Sequence, residues 1–223
     1  MFGFDNAKKE RSATAEMAEA RASLYDIMVK ILNQLPDEEL LNKIEERVFE
    51  EMFHGFSGVD HIKSYCSKIA GNSTEEILTE LSVDRTRILR GTGPKELKPP
   101  YEGCYKEDCD VGSAALKVKS CYRAAGMIPD KTVTESPDYL CVELDFMKNL
   151  CLREKEQLLS GNGVAETHKM QEFFLTEHLG SWVGRFCSAT KEHAMTDFYR
   201  GFCEIFNAAI EMDMKYLQGL KID

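Results

Sequence analysis

No stretch of this chain carries the run of about 18 apolar residues that a membrane-crossing helix requires, and Met1 to Ala22 contains nothing resembling a signal peptide. A cytoplasmic protein without stable membrane insertion is therefore expected. Positive charge is also scarce: 28 basic side chains face 38 acidic ones, for a net charge of -10. That balance repels a nucleic-acid backbone or an anionic lipid surface and draws in cationic partners. Proline is rare and concentrated, with Pro94, Pro99 and Pro100 among the six in the chain. They exclude regular helix from about Gly91 to Gly112 and predict an ordered but extended connection there. No repeat or low-complexity linker interrupts the rest.

The signatures of catalysis are missing as well. Neither Gly91-Thr92-Gly93 nor Gly161-Asn162-Gly163 continues into a phosphate-cradling Lys-Ser/Thr, so both read as helix stops. There is no Gly-x-Ser-x-Gly elbow, and no histidine neighbours a candidate nucleophile along the sequence. Cys104 and Cys109 lack the second ligand pair that a zinc site needs. Glu51 and His54 make a single Glu-x-x-His step where a di-iron bundle uses two. The eight cysteines are scattered through predicted helices of a chain without an export signal, which favours reduced, packed thiols over disulfides. Neither a metal nor a cofactor is expected.

What is present is helix after helix. Leu24, Ile27, Met28, Ile31, Leu32 and Leu35 recur at three- and four-residue steps within a helix from about Ala13 to Leu35, ended by Pro36. A polar segment over residues 1–12 is expected to be flexible, leaving 13–223 as one helical domain. Asp37 is placed to cap a second helix whose Leu40, Leu41, Ile44, Val48 and Met52 share a face. A short helix over Val59 to Ile69 follows, then a Ser73/Glu76 capping box ahead of Ile77, Leu78, Leu81, Ile88 and Leu89, with Gly91 as the stop. Further helices are predicted at about Ser113 to Ala125, Pro137 to Leu159, Val164 to His178 and His193 to Leu217. The fold class is all-α: a single-domain helical bundle with a long Pro-rich connection in its middle.

Two segments flank that connection with unusual equipment. Pro99-Pro100-Tyr101-Glu102 precedes a predicted helix, and Glu135-Ser136-Pro137-Asp138-Tyr139-Leu140 opens another, with Ser136 suited to the N-cap, Pro137 to the first helical position and Asp138 to the first turn. Pro99 to Tyr105 looks like the Pro-Pro-Tyr-Glu-Ser-Val-Tyr element of the TorD/DmsD/NarJ group of redox-enzyme maturation chaperones. Glu135 to Tyr139 resembles that group's Glu-Pro-x-Asp-His signature. Asp84 to Gly91 is similar to its helix ending in Arg-Leu-Phe-x-Gly. Glu143 to Met147, His178-Leu179-x-x-Trp182 and Phe198-Tyr199 follow in the expected order. The resemblance extends over most of the chain.

The resemblance implies an all-helical, cofactor-free, non-enzymatic chaperone. Such a protein would bind an apo-molybdoenzyme catalytic subunit, commonly through its twin-arginine leader peptide, and hold it for molybdenum cofactor insertion before export. On that reading Glu135, Asp138 and Glu102 accept hydrogen bonds from the leader's guanidinium groups, while Ile88, Leu89, Tyr101, Tyr105 and Pro137 line an apolar floor beside Tyr139. His178, Trp182 and the Phe198, Tyr199, Phe202, Phe206 stripe read as packing. Two departures stand out: Tyr139 occupies the signature's histidine position, replacing a titrating imidazole with a phenol, and Gly103-Cys104 stands for Ser-Val, removing a hydroxyl near Glu102. Alternatives are a NarJ-like chaperone docking on the body of a leaderless cytoplasmic subunit, and a nucleotide hydrolase using Glu135 or Asp138 as base. The partner count is open, with a monomer or a domain-swapped dimer hinged at the Pro-rich connection both expected.

Overall fold

In the computed structural model, residues 2–106, 112–128 and 133–220 are described, with side chains of the first helix from residue 11 onward. All regular structure among them is helical, apart from one isolated bridge between Tyr101 and Tyr139. In chain order the helices are α1 (Phe2–Asn33), α2 (Glu38–Glu45), α3 (Val48–Met52), α4 (Val59–Ile69), α5 (Thr74–Arg90), α6 (Glu102–Tyr105), α7 (Ser113–Ala124), α8 (Leu140–Leu159), α9 (Ala165–Phe174), α10 (Gly180–His193) and α11 (Asp197–Gly219). A π-helical turn, Leu175–Leu179, joins α9 to α10 without a break. The backbone is already helical from Phe2, well before Ala13; the expectation of flexibility over residues 1–12 rests mostly on side chains outside the described set. Cys109 lies outside the described residues too.

The longest contact is α1 along α8. Ala15, Ala18 and Ala22 occupy the seam at three- and four-residue spacing, and their small side chains let the two backbones approach before Tyr25, Met28, Ile31 and Leu32 take over the packing. The buried stripe is thus rotated from the expected one: Leu24 and Ile27 are half-buried and Leu35 is exposed. Within this apolar seam sits a polar knot. Arg21 donates to Glu154 at 2.8 Å and to Gln171 at 2.8 Å and chelates Asp213, which also accepts from Tyr25 at 2.6 Å. His168 faces the other oxygen of Glu154 at 2.8 Å. The knot ties α1, α8, α9 and α11 at one point, and no periodicity in the sequence announces it.

Local chemistry explains most boundaries. Asp37 accepts the Leu40 N–H at 2.9 Å, Ser73 and Glu76 form a reciprocal capping box, and Gly91 ends α5 in the left-handed region at φ 60°. There, Gly91 also lies so close to Pro99 that a Cβ could not be accommodated. The expected second helix breaks at Arg47, which takes a left-handed φ of 59°. The break rephases the chain, so Phe49 and Phe53 turn inward while Met52 is half-exposed. Two boundaries depart from the expectation for tertiary reasons. The stretch 180–193, left unassigned by pattern, is α10, continuous with α9 through the π turn. The last helix begins at Asp197 instead of His193, because Asp84 of α5 accepts from Met195 N at 2.9 Å, Thr196 N at 2.8 Å and Thr196 Oγ1 at 2.8 Å and so caps α11 from outside.

Trp182, Phe198, Tyr199, Phe202 and Phe206 form the aromatic centre between α10, α11 and α4, all buried as expected of packing residues. Helix α4 meets α11 where Gly58 and Gly201 face each other; a methyl on either would collide with the other's carbonyl. Gly201→Ala should therefore destabilise the fold by about 1 to 3 kcal/mol, the range for overpacking a tight contact. Gly219→Ala, at an open position, should leave the thermal midpoint unchanged. Equal midpoints for both variants would contradict this packing.

A candidate peptide-binding cleft beside the α6–α8 clasp

The Pro-rich connection and the turn before α8 are held together by their backbones. Leu140 N donates to Pro100 O at 2.9 Å and Glu102 N donates to Asp138 O at 2.9 Å, which makes the bridge between Tyr101 and Tyr139. Their rings lie 5.2 Å apart. Tyr122 of α7 donates to Pro137 O at 2.8 Å from the other side. This pairing corrects the expected helix start: residues 136–139 stay out of the helix, Tyr139 is its N-cap position, and Ser136, Pro137 and Asp138 form the turn that precedes it.

The clasp decides which side chains a ligand can reach. Asp138 is buried and faces inward, accepting from Gly103 N at 3.3 Å and from the Ser136 hydroxyl. Glu102 has no exposed surface; it pairs with His178 at 2.9 Å and with Lys106 at 2.9 Å. Tyr105 is buried against Trp182 and Phe186, with its hydroxyl on Lys98 O at 2.7 Å, and Ile88 is core. Those four leave the expected ligand surface because their polar atoms or faces are consumed within the chain. Tyr139 is mostly buried but keeps a face on the surface cleft described below. Pro137, Leu89 and Tyr101 are half-buried, and Glu135 is exposed with Tyr101 Oη donating to it at 2.9 Å. Burial and that carboxylate push the Tyr101 phenol up to about 12.

Beneath the clasp, Trp182 Nε1 donates to Glu143 Oε2 at 3.1 Å, while Glu143 Oε1 makes no hydrogen bond. Complete burial, reinforced by the negative charge of Glu102, raises the Glu143 carboxyl well above its ordinary range and keeps it neutral. His178 behaves oppositely. Burial pulls its imidazole down, but the contacts with Cys121 and Glu102 outweigh that and lift it to about 9. For Glu102, burial pushes upward, and the bonds from His178 and Lys106 outweigh it and hold the carboxylate below its ordinary value. The resulting ion pair is anchored in the π turn, where His178 lies one turn before Trp182.

Outward from this buried layer a cleft of about 670 Å³ opens between α1, α8 and the segment leading to the clasp. Helix α8 supplies Val142, Asp145, Phe146 and Asn149, a run at helical spacing that puts them on one face. Val29 and Asn33 of α1 form the opposite wall, and Met127, Ile128 and Val133 the rim, the last two largely exposed. Glu135 and Tyr139 close the end nearest the clasp. Two carboxylates therefore border a trough of mixed apolar and polar lining: Glu135, engaged with Tyr101, and Asp145, which is 48% exposed and pairs with Lys148 at 2.5 Å. Of the residues expected from sequence, Glu135 and Tyr139 line this cleft; the α8 face and the α1 wall were not among them. The α8 residues carried a usable signal in their 142, 145, 146, 149 spacing; Val29 and Asn33 carried none, since only the α1–α8 packing brings them here.

Among the described residues no group of three or more His, Cys, Asp or Glu side chains is arranged to hold a metal, and no helix is long and apolar enough to cross a membrane. Glu135 and Asp138, the bases of the hydrolase alternative, bond within the chain with no phosphate-cradling loop beside them.

A family model described as nitrate reductase delta subunit matches residues 31–188. Full-length similarity extends to proteins named Chaperone protein TorD. That of Vibrio vulnificus strain YJ016 is 24% identical over 208 residues, covering 90% of this chain and 96% of the relative. That of Aliivibrio salmonicida is 26% identical with the same coverage, and that of Photobacterium profundum is 26% identical over 212 residues, covering 90% and 95%. No solved structure gives a significant match.

The buried layer makes a pH prediction. Because the folded Glu143 carboxyl titrates above its unfolded value near 4.5, its contribution is fully present below that value and is lost as the pH rises. Glu143→Gln keeps the acceptor for Trp182 and removes the titration, so its urea midpoint should gain on the wild type as the pH rises above the ordinary carboxyl value. Parallel pH profiles for the two proteins would contradict a neutral Glu143.

Proposed function

The chain belongs to the nitrate reductase delta subunit family, the TorD/DmsD/NarJ group of redox-enzyme maturation chaperones, and from that premise we propose that its cleft receives the twin-arginine leader of a molybdoenzyme catalytic subunit. It is a chaperone, not an enzyme. On this reading it works in the cytoplasm, holding the apo-subunit while the molybdenum cofactor is inserted and before export. The observation that supports the reading is the composition of the cleft, a trough in which Val29, Val133, Val142 and Phe146 alternate with polar side chains and Glu135 and Asp145 stand on the border, directly beside the family's paired motifs.

A leader of this type presents two guanidinium groups and then an apolar stretch. Val29, Val142, Phe146 and the exposed Ile128 and Val133 offer the apolar stretch a surface. Burying two or three of its side chains contributes about 1.5 to 3 kcal/mol each, against the roughly 8 kcal/mol of a micromolar complex and the cost of ordering the peptide. Apolar contact thus supplies most of the affinity. The carboxylates add selectivity: both are solvent-accessible, so each guanidinium pair contributes on the order of 1 kcal/mol. Asp138 and Glu102 act one step removed, by holding the clasp that places Glu135.

Calorimetry with a twin-arginine leader peptide tests this. Glu135→Gln and Asp145→Asn should each weaken binding by roughly threefold to tenfold, and a leader with both arginines replaced by glutamine should show the combined loss. Unchanged affinity in both variants would overturn the assignment of the cleft. Capture of a leader-deleted subunit as efficiently as the intact one would favour docking on the subunit body, the mode expected of a NarJ-like chaperone.

A further inference from the structure

The fold builds one constellation that chaperoning of a client does not use. Cys121 of α7 lies with its Sγ 3.4 Å from His178 Nε2, and His178 Nδ1 lies 2.9 Å from Glu102 Oε2. Thiol, imidazole and carboxylate stand in line, drawn from α7, the π turn and α6, three segments far apart in sequence. The carboxylate fixes the imidazolium so that its Nε2–H faces the sulfur, the arrangement by which a neighbouring cation favours the thiolate form of a cysteine nucleophile. Phe174 and Phe173 flank the imidazole at 5.2 and 6.1 Å, and Phe173 is half-exposed, so the group sits just below the surface.

The other cysteines set the contrast. Cys121 retains 8% exposure, against 5% for Cys141, 3% for Cys187 and none for Cys151 and Cys203. Cys66 and Cys104 are more open, but burial raises both thiols, and Cys66 only donates to the Ile44 carbonyl at 3.3 Å. Among the described residues Cys121 is the cysteine hydrogen-bonded to an imidazole.

We propose that Cys121 is a peroxide-reactive thiol, activated by the Cys121–His178–Glu102 relay and oxidised reversibly to a sulfenic acid. The thiol proton leaves to solvent, and the thiolate accepts from the Nε2–H of the His178 imidazolium. The sulfur attacks one oxygen of hydrogen peroxide, forming an S–O bond as the O–O bond breaks. The leaving hydroxide takes a proton from solvent, replacing the one the thiol released, and departs as water. Thiol and peroxide become sulfenic acid and water, with sulfur oxidised by two electrons and the peroxide reduced by two. Low-molecular-weight thiols reverse it.

Treating the intact folded protein with hydrogen peroxide in the presence of dimedone, followed by peptide mass spectrometry, reads each cysteine separately. Cys121 should be trapped about tenfold or more ahead of Cys66 and Cys104, although they are more open, and should lose that lead in urea. His178→Gln should bring Cys121 down to their rate and leave theirs unchanged. Protection of Cys121 in the folded protein, trapping no faster than at Cys66 and Cys104, would overturn the proposal, as would a wild-type rate in a folded His178→Gln variant. If that variant fails to fold, the comparison of folded with urea-unfolded wild type decides alone: a thiol faster when folded is activated by its surroundings, and one slower when folded is merely buried.

Discussion

The short backbone pairing between residues 100–102 and 138–140 is the constraint on which the rest depends. It joins a segment that prolines keep extended to a turn that would otherwise run on into α8. Once the two are paired, Asp138 and Glu102 have nowhere to point but inward. Asp138 then holds Gly103 N and the Ser136 hydroxyl, and Glu102 finds His178 and Lys106. A Cβ at Gly103 would sit 3.4 Å from Asp138 Oδ2, an ordinary contact, so the pairing does not require glycine there. Tyr139, standing where the family signature has histidine, packs at a tilt against Tyr101 and contributes a ring to the cleft wall.

Motifs that identify the family and residues that line the cleft are largely separate in this chain. Asp84 caps α11, Trp182 bonds to Glu143, and Phe198 and Tyr199 fill the centre. Each is an internal interaction whose loss would leave a buried polar group unpaired or a large cavity, costs of several kcal/mol. The surface of the cleft comes instead from an α8 face and an α1 wall outside the paired motifs, apart from Glu135 and Tyr139. Division of this kind lets a fixed scaffold carry a variable binding surface.

Much of the architecture was legible in the sequence because local chemistry decides it. The capping box at Ser73, the cap at Asp37, the left-handed stop at Gly91 and the limits of α4 stand where pattern put them. Elsewhere longer-range contacts won. Arg47 breaks a helix that periodicity would continue, Asp84 shifts the start of α11, and the π turn carries α9 on into α10 over a stretch that pattern left unassigned. The acidic residues of the site were misread for a related reason. A carboxylate at a turn looks available in one dimension, and only packing shows that Asp138 and Glu102 are buried on backbone, imidazole and ammonium partners while Asp145, on an ordinary helical face, stays half-exposed beside Lys148.

Hydrogen exchange on the chaperone with and without a saturating twin-arginine leader peptide tests the central claim most directly, because it maps contact without altering any residue. Protection confined to the second half of α1, to 133–139 and to the first three turns of α8 is the predicted pattern. Protection centred on α2 and α3 or on α10 and α11, with α8 unchanged, would contradict the account.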